Sequence, residues 1–514
     1  MATSEISSAH GNLRERAPHG VANALFRQVA WIAGEWVAAD SGAVLEVRNP
    51  ATNERLGVIP NMGAAETQRA IDAAVVAQAT WARSTTHQRA EPLHRWASLM
   101  GQHREALARL MTHEQGKPLA ESRGEIDYAR GFLTWFAEEA KRQCGEIIPT
   151  HLPGKRLFAM RAPIGVTAAI TPWNFPSAMI TRKAAAALAA GCAMVVRPAS
   201  ESPYSALALA ALAHEAGVPS GVFSVVTGDP EEIASALLTA TAVRHLSFTG
   251  STEIGRLLMR QSADTVKKVA LELGGHAPFI VFEDADLDAA VAGAIAAKFQ
   301  TTGQDCLAAN RILVQRPLYA AFCERFAAAT RALRVGNGFD DGVQIGPLIG
   351  ANAVAKCAAH VTDAVARGAR LLAGGKPHAT GPNFFTPTVL ADVSPNMRIF
   401  REETFGPVAS ITAFDDEPGV LKIANDTEYG LAAYVYGRDL RRLWRVAEAL
   451  EYGMVGVNTA KMTGPPIPFG GLKQSGLGRE GARAGLDEYT EIKYICLDDL
   501  ETDPVVTNAP AGTL

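Results

Sequence analysis

Three short stretches carry side chains whose types and spacing could do carbonyl chemistry. The run "FQTTGQDCLAANR" (299–311) holds Cys306 behind Gly303, where a helical pattern is expected to begin. A thiol at a helix start has its pKa lowered from about 8.5, which makes it a nucleophile near neutral pH. Alone, such a cysteine is as well explained as a small buried apolar side chain. The run "TPWNFP" (Thr171–Pro176) brackets Asn174 between two prolines, which stiffen the loop and fix the amide. A rigid amide suits a developing oxyanion, and a plain turn asparagine is the simpler account. The run "LELGG" (Leu271–Gly275) sets a lone carboxylate, Glu272, at the end of an apolar strand. Desolvation there would raise its pKa towards that of a general base, although a partly exposed strand-end glutamate fits as well. Together the three describe a nucleophile, an oxyanion donor and a base.

The elements that must position them follow from periodicity. Residues 30–60 read as short strands and turns, residues 63–142 as long helices, and residues 143–162 as an extended hairpin. Then "VTAAITPW", "AMVVRP", "GVFSVVTG", "VRHLSFTG" and "KKVALELGG" give short apolar strands ending in Gly or Pro, with helical patterns between them. Such alternation predicts parallel βαβ units, whose ligands bind at the carboxyl ends of the strands. A second α/β region starts at "APFIVFEDADL" and runs to about residue 481. The run "GLGREG" (Gly476–Gly481) matches the dinucleotide fingerprint G-x-G-x-x-G but follows a glycine-rich loop near the chain's end. Lacking the strand before it and the acidic residue about 20 positions on, it reads as a turn-rich closing segment.

Composition narrows the classes. A chain of 514 residues holds two or three domains, and 48% apolar with 20% charged residues is an ordinary globular balance. A net charge of -4 argues against nucleic acid, and no run reaches the ~20 apolar residues of a membrane span. The first twenty residues lack the apolar region of a secretory signal. The six cysteines show no C-x-x-C spacing and no H-E-x-x-H occurs, so reduced thiols, no metal site and a cytoplasmic location are expected.

"TPWNFP", "VVRPAS", "FTGS", "LELGG", "GQDC", "EETFGPV" and "PFGGLKQSGLGREG" stand in the order and spacing of the NAD(P)-dependent aldehyde dehydrogenase superfamily, which the chain resembles over about residues 28–497. Within it, "AMITRKAAAALAAGC", "SFTGSTEIGR", "NFFTPT" and "ALEYGMVGVNT" are similar to the succinate-semialdehyde dehydrogenases. The resemblance implies an α/β aldehyde dehydrogenase-like fold. A Rossmann-type dinucleotide-binding domain would take residues 28–142 and 163–274, and a catalytic domain residues 275–481. An oligomerisation arm at 143–162 and 482–497 would join a homodimer or homotetramer, with flexible ends at 1–27 and 498–514.

It also implies roles. Cys306 attacks the aldehyde, Asn174 and the Cys306 N–H hold the oxyanion, and Glu272 activates the water that hydrolyses a thioester. Transfer of the acyl group to coenzyme A is disfavoured by Glu272, and a purely structural oligomer would not need all three residues. Arg197 and Ser200 would meet the adenosine ribose, and Gly250 and Ser251 the pyrophosphate. Glu403 and Phe405 would hold the nicotinamide ribose and ring, with Trp173, Asn174 and Leu273 also at the cofactor. Ser200 stands where NAD-selective relatives place a glutamate, so NADP is favoured over NAD. Arg182, Thr463, Phe175 and Phe469 would line the substrate, with Gln300 in place of a second arginine and Lys461 offsetting that loss. The expected reaction is oxidation of succinate semialdehyde. Glutarate semialdehyde, or a neutral aliphatic or aromatic aldehyde, is the alternative.

Overall fold

A computed structural model describes residues 17–498. Two sheets carry the site, and both rest on runs of apolar residues too short for helices. All residues of the Val166–Ile170 and Ala277–Val281 strands are buried, because helices cover both faces of each sheet. The first sheet has the strand order Gly476–Leu477, Lys268–Glu272, Val243–Thr249, Val166–Ile170, Ala193–Arg197, Phe223–Val225, Ala30–Ile32 and Glu35–Val37. Its five middle strands are parallel, and the edge pairs are antiparallel. From Val166–Ile170 the chain builds outward through Ala193–Arg197 to Phe223–Val225, then returns to add Val243–Thr249 on the other side. That reversal opens a crevice at the carboxyl ends, where doubly wound sheets bind ligands. The loops bearing Asn174, Ser251 and Leu273 all leave from those ends.

The second sheet runs Arg370–Ala373, Thr388–Ala391, Val408–Phe414, Ala309–Gln315, Ala277–Val281, Ala432–Tyr436 and Met454–Val457, parallel except at its first pair. A third sheet pairs Arg156–Pro163 with Thr490–Leu497 along its full length and adds Glu146–Ile148. Among the described residues, no helix is long and apolar enough to cross a membrane.

Two local features depart from the sequence reading. Leu25 and Phe26 fall inside the stretch read as an extension, yet both are buried in the core, Phe26 with its ring centroid 4.6 Å from that of Tyr204. The packed chain therefore begins before residue 28, while residues 1–16 of the extension expected at 1–27 and residues 499–514 of the tail expected at 498–514 lie outside the described residues. The second feature is the Ala178–Ala190 helix, in which every residue is buried. Its alanines let neighbours approach on all sides, but it also buries Arg182 and Lys183. Two buried cations need a counter-charge, which the chain supplies from far away.

Candidate active site

The nucleophile loop is held in a costly backbone conformation. After the Leu287–Phe299 helix, Thr301, Thr302 and Gly303 have φ of 49°, 59° and 71°. Non-glycine residues there cost about 1–3 kcal/mol each and persist only where the surroundings over-determine them. Here the Thr301 N–H donates to Glu121 Oε2 (2.9 Å) and the Thr302 hydroxyl to the Gly346 carbonyl (3.2 Å). Gln304 ties the loop to the next segment, donating to the Pro347 carbonyl (3.3 Å) and accepting from the Ile349 N–H (2.9 Å). A Cβ at Gly303 would collide with the Gly406 carbonyl oxygen, so only glycine closes this turn.

No helix begins at Cys306. Asp305 closes a turn by accepting the Leu307 N–H on Oδ1 (2.9 Å) and the Ala308 N–H on its carbonyl (3.0 Å), and the chain enters the buried Ala309–Gln315 strand. The expectation of a thiol activated by a helix start is therefore wrong. "ANRILVQ" is a central strand, and its polar Arg311 is satisfied by the His276, Ile423 and Ala424 carbonyls and the Tyr452 hydroxyl. Burial instead pushes the Cys306 thiol well above its ordinary pKa, and the Asp305 carboxylate adds to this.

Asn174 is buried, and its Nδ2 donates to the Gln304 carbonyl at 3.0 Å, two residues before Cys306. An amide NH₂ has two hydrogens, so one remains for a second acceptor beside the thiol. Glu272 ends its strand with 3% exposure, and neither carboxyl oxygen has a hydrogen-bond partner among the described residues. A Cβ at Gly470 would lie 2.9 Å from Glu272 Oε1, so the backbone passes close by the carboxyl. Burial raises the Glu272 pKa well above the carboxylate range, and the Glu480 charge raises it further. Of the sequence-derived expectations for this trio, the raised carboxyl holds and the lowered thiol fails.

Glu480 is the functional candidate that sequence reading missed. It ion-pairs with both Arg182 and Lys183, and Lys183 also donates to Ser247 (2.9 Å) and Thr249 (2.8 Å). Burial works to raise the Glu480 carboxyl, and the two cations overcome that and hold it below its ordinary range. It lies within "GLGREG", whose Gly476–Leu477 pair as an antiparallel edge with Leu271 and Glu272. The only sequence signal was indirect: two cations in an alanine-rich helix demand a partner. Arg182, expected to be free for a substrate carboxylate, is engaged by Glu480 and lies 4.2 Å from the Phe469 ring centroid. Its Nη2 has no hydrogen-bond partner among the described residues.

Seven of the sequence-derived residues meet around one cavity of about 410 Å³. Cys306, Arg182, Phe175 and Phe469 line it, as do Gln300, Lys461 and Thr463. Lys461 is exposed, with its N–H on the Thr459 hydroxyl (3.1 Å). A larger groove of about 700 Å³ between Arg244, Met259 and Lys268 holds none of these side chains.

The remaining candidates follow the strand ends of the first sheet, apart from Glu403 and Phe405, which precede the Val408–Phe414 strand of the second. Arg197 donates from Nη2 to the Ser200 hydroxyl (3.0 Å) and the Gly228 carbonyl (3.4 Å), while its buried Nε has no partner among the described residues. Ser251 follows Gly250 and caps the Thr252–Ser262 helix by accepting the Ile254 N–H (3.3 Å). Leu273 packs onto Gly255 of that helix. Trp173 and Phe405 meet edge to face at 5.7 Å. Glu403 accepts the Gly275 N–H (2.9 Å), and burial lifts its pKa to about 7.

Residues 36–495 match the aldehyde dehydrogenase family. The chain belongs to that family. It is 58% identical to the glutarate-semialdehyde dehydrogenase of Pseudomonas aeruginosa, over 92% of this chain and 98% of that protein. It is also 58% identical to the Escherichia coli succinate-semialdehyde dehydrogenase [NADP(+)] GabD, with the same coverage of 92% and 98%. The crystal structure of succinate-semialdehyde dehydrogenase from Burkholderia pseudomallei superposes with a TM-score of 0.92 at 57% identity, covering 92% of this chain and 98% of that one. The aldehyde dehydrogenase fold expected from the sequence is thus found.

Proposed function

We propose that this enzyme oxidises an acid semialdehyde with NADP⁺ or NAD⁺, succinate semialdehyde first. The observation that carries the reading is the cavity that joins the Cys306 thiol to the Arg182 and Lys461 cations. Cys306 sulfur bonds to the aldehyde carbon as its proton passes to solvent water, and the new oxyanion is met by the free Asn174 N–H and the Cys306 N–H. A bound nicotinamide cofactor supplies the hydride acceptor that leaves a thioester on Cys306. Glu272 takes a proton from water, whose oxygen bonds to the acyl carbon while the C–S bond breaks. The departing thiolate takes that proton back from Glu272, so thiol and carboxylate are both restored as the acid leaves.

The crevice fits that cofactor in its donor set: the capped helix start at Gly250–Ser251, the unpartnered Arg197 Nε, the Ser200 hydroxyl and the Glu403 carboxyl. Ser200 carries no charge to repel a 2′-phosphate, and Arg197 is beside it. NADP⁺ is therefore expected to give the higher kcat/KM, in keeping with the cofactor in the E. coli relative's name. A preference for NAD⁺ above about 100-fold, or ~2.7 kcal/mol, would reverse this assignment.

A second reading, glutarate semialdehyde, is favoured by Gln300 and by the P. aeruginosa relative. A neutral hydrogen bond contributes ~0.5–1.5 kcal/mol where a charge-assisted one contributes ~1.5–3, so Gln300 in place of an arginine costs about 1 kcal/mol of carboxylate binding. Comparing kcat/KM for succinate semialdehyde, glutarate semialdehyde, butanal and benzaldehyde decides the class. The acid semialdehydes should exceed butanal by about tenfold or more, the contribution of one charge-assisted contact. Arg182→Ala should erase that margin. If butanal loses equally, Arg182 acts only by holding Glu480, and the carboxylate reading fails.

The third sheet is the surface proposed to join copies of the chain into a dimer or tetramer. Ile147 and Met160 are exposed on one face of it and Ile492 and Tyr494 on the other, apolar side chains that are unfavourable in water. Light scattering measures the assembly. Six free thiols, three of them buried, suit the cytoplasm expected for it.

A further inference from the structure

One buried ion pair has no place in the chemistry above. Lys117 follows the Arg104–Gln115 helix, and Glu125 lies on the Leu119–Glu139 helix; both side chains are 1% exposed. The side-chain hydrogen bonds that the pair makes outside itself go to one segment. Lys117 Nζ donates to Glu125 Oε2 (2.7 Å) and to the Asn174 carbonyl (2.6 Å), and sits 4.1 Å from the Phe175 ring centroid. Glu125 Oε1 accepts the Ser177 N–H (2.9 Å) and the Ala178 N–H (3.1 Å), at the start of the Ala178–Ala190 helix. Residues 174, 175, 177 and 178 are thus all gripped by two side chains from other elements.

Buried ion pairs are weak contributors to stability, since apolar replacements often serve as well. Fixing a geometry is the use that suits this one. Pro172 and Pro176 stiffen the loop, so a pinned Asn174 carbonyl also pins where its side-chain amide points. That amide reaches the Gln304 carbonyl at 3.0 Å, beside the nucleophile. A displacement of about 1 Å in such a group can cost about 100-fold in rate.

We infer that Lys117 and Glu125 are positioning residues for the oxyanion donor, acting through Asn174. The inference rests on the donor role proposed for Asn174. Lys117 also lines the substrate cavity, so direct contact with the substrate's carboxylate is the competing role.

The test is a rapid-mixing measurement of the first-turnover NAD(P)H burst, with KM in the steady state, on the full chain. Asn174→Ala should slow the burst about 100- to 1,000-fold, the usual loss for one oxyanion donor. The paired variant Lys117→Met/Glu125→Gln leaves no unmatched buried charge. It should slow the burst about 30- to 300-fold while KM for succinate semialdehyde stays within about threefold. Added to Asn174→Ala, the paired change should slow the burst no further, because its only route of action is already gone. Should the paired variant fail to accumulate, Glu125→Gln alone is measured in the same cycle, with the same non-additivity expected. Multiplying effects would overturn the inference, as would a KM that rises more than tenfold with the burst unchanged. A normal burst in Asn174→Ala removes the donor assignment itself, and the inference with it.

Discussion

Cys306→Ala should form NAD(P)H at no more than about one part in 10⁵ of the parent rate, a loss of about 7 kcal/mol of transition-state stabilisation. The size follows from losing the covalent route entirely. No other thiol can take over: Cys192, Cys323 and Cys357 are buried elsewhere, Cys144 and Cys496 are exposed, and none of the five lines the substrate cavity. The cofactor candidates Arg197, Ser200 and Ser251 stand at or just beyond the carboxyl ends of first-sheet strands, on other elements than the nucleophile loop. Cofactor binding, followed by fluorescence, should therefore be unchanged while turnover is absent. Residual oxidation above about 1% would place the nucleophile elsewhere.

Glu272→Gln should behave in the opposite way. Its first turnover should match the parent's in amplitude, and its steady-state rate should fall by about 10²- to 10⁴-fold, the usual contribution of a general base. Rapid mixing would record a burst and then near silence, and mass spectrometry of the quenched protein would find the acyl group on Cys306. Normal steady turnover would mean that another base deacylates the enzyme. The pH dependence follows with its sign. Burial and the Glu480 charge raise the Glu272 pKa, and a base works only when ionised, so deacylation should rise with pH through that raised value. The Cys306 thiol is raised too, first by burial and then by Asp305, so acylation should rise in the same direction. The parent's kcat should keep climbing with pH above the ordinary carboxylate range, and the residual rate of Glu272→Gln should lose the part of that slope due to the base. A flat parent profile would contradict both shifts.

Much of this arrangement is legible without coordinates because it is local. The short apolar runs ending in Gly or Pro give the middle strands of the first sheet, and Thr171–Pro176, Gly250–Ser251 and Glu272 fall at strand ends as their patterns require. A period of two and a turn signal need only a few neighbouring residues to act. The motif set also carries the family, and with it the fold. The dismissal of "GLGREG" as a dinucleotide loop is correct for the same reason: the strand it needs in front of it is absent from the adjacent sequence.

What only the tertiary structure decided is the environment of each group. "DCLAANRILVQ" suits a helix start by local pattern, yet it is a turn entering a central strand, because the neighbouring strands Ala277–Val281 and Val408–Phe414 pair with it. That pairing sets the half-buried Cys306 beside Asp305, and desolvation reverses the expected direction of its pKa. Lys183 and Glu480 stand 297 positions apart, and nothing between them in the chain marks the pair. Their meeting gives Arg182 a partner, couples Glu272 to a buried carboxylate and turns a free substrate cation into a shared one. Charge and desolvation act through space over a few ångströms, so they depend on which distant segments the fold brings together. The sequence by itself determined which chemical groups are present and where the strands end; their protonation and their partners were settled only when the two sheets closed around them.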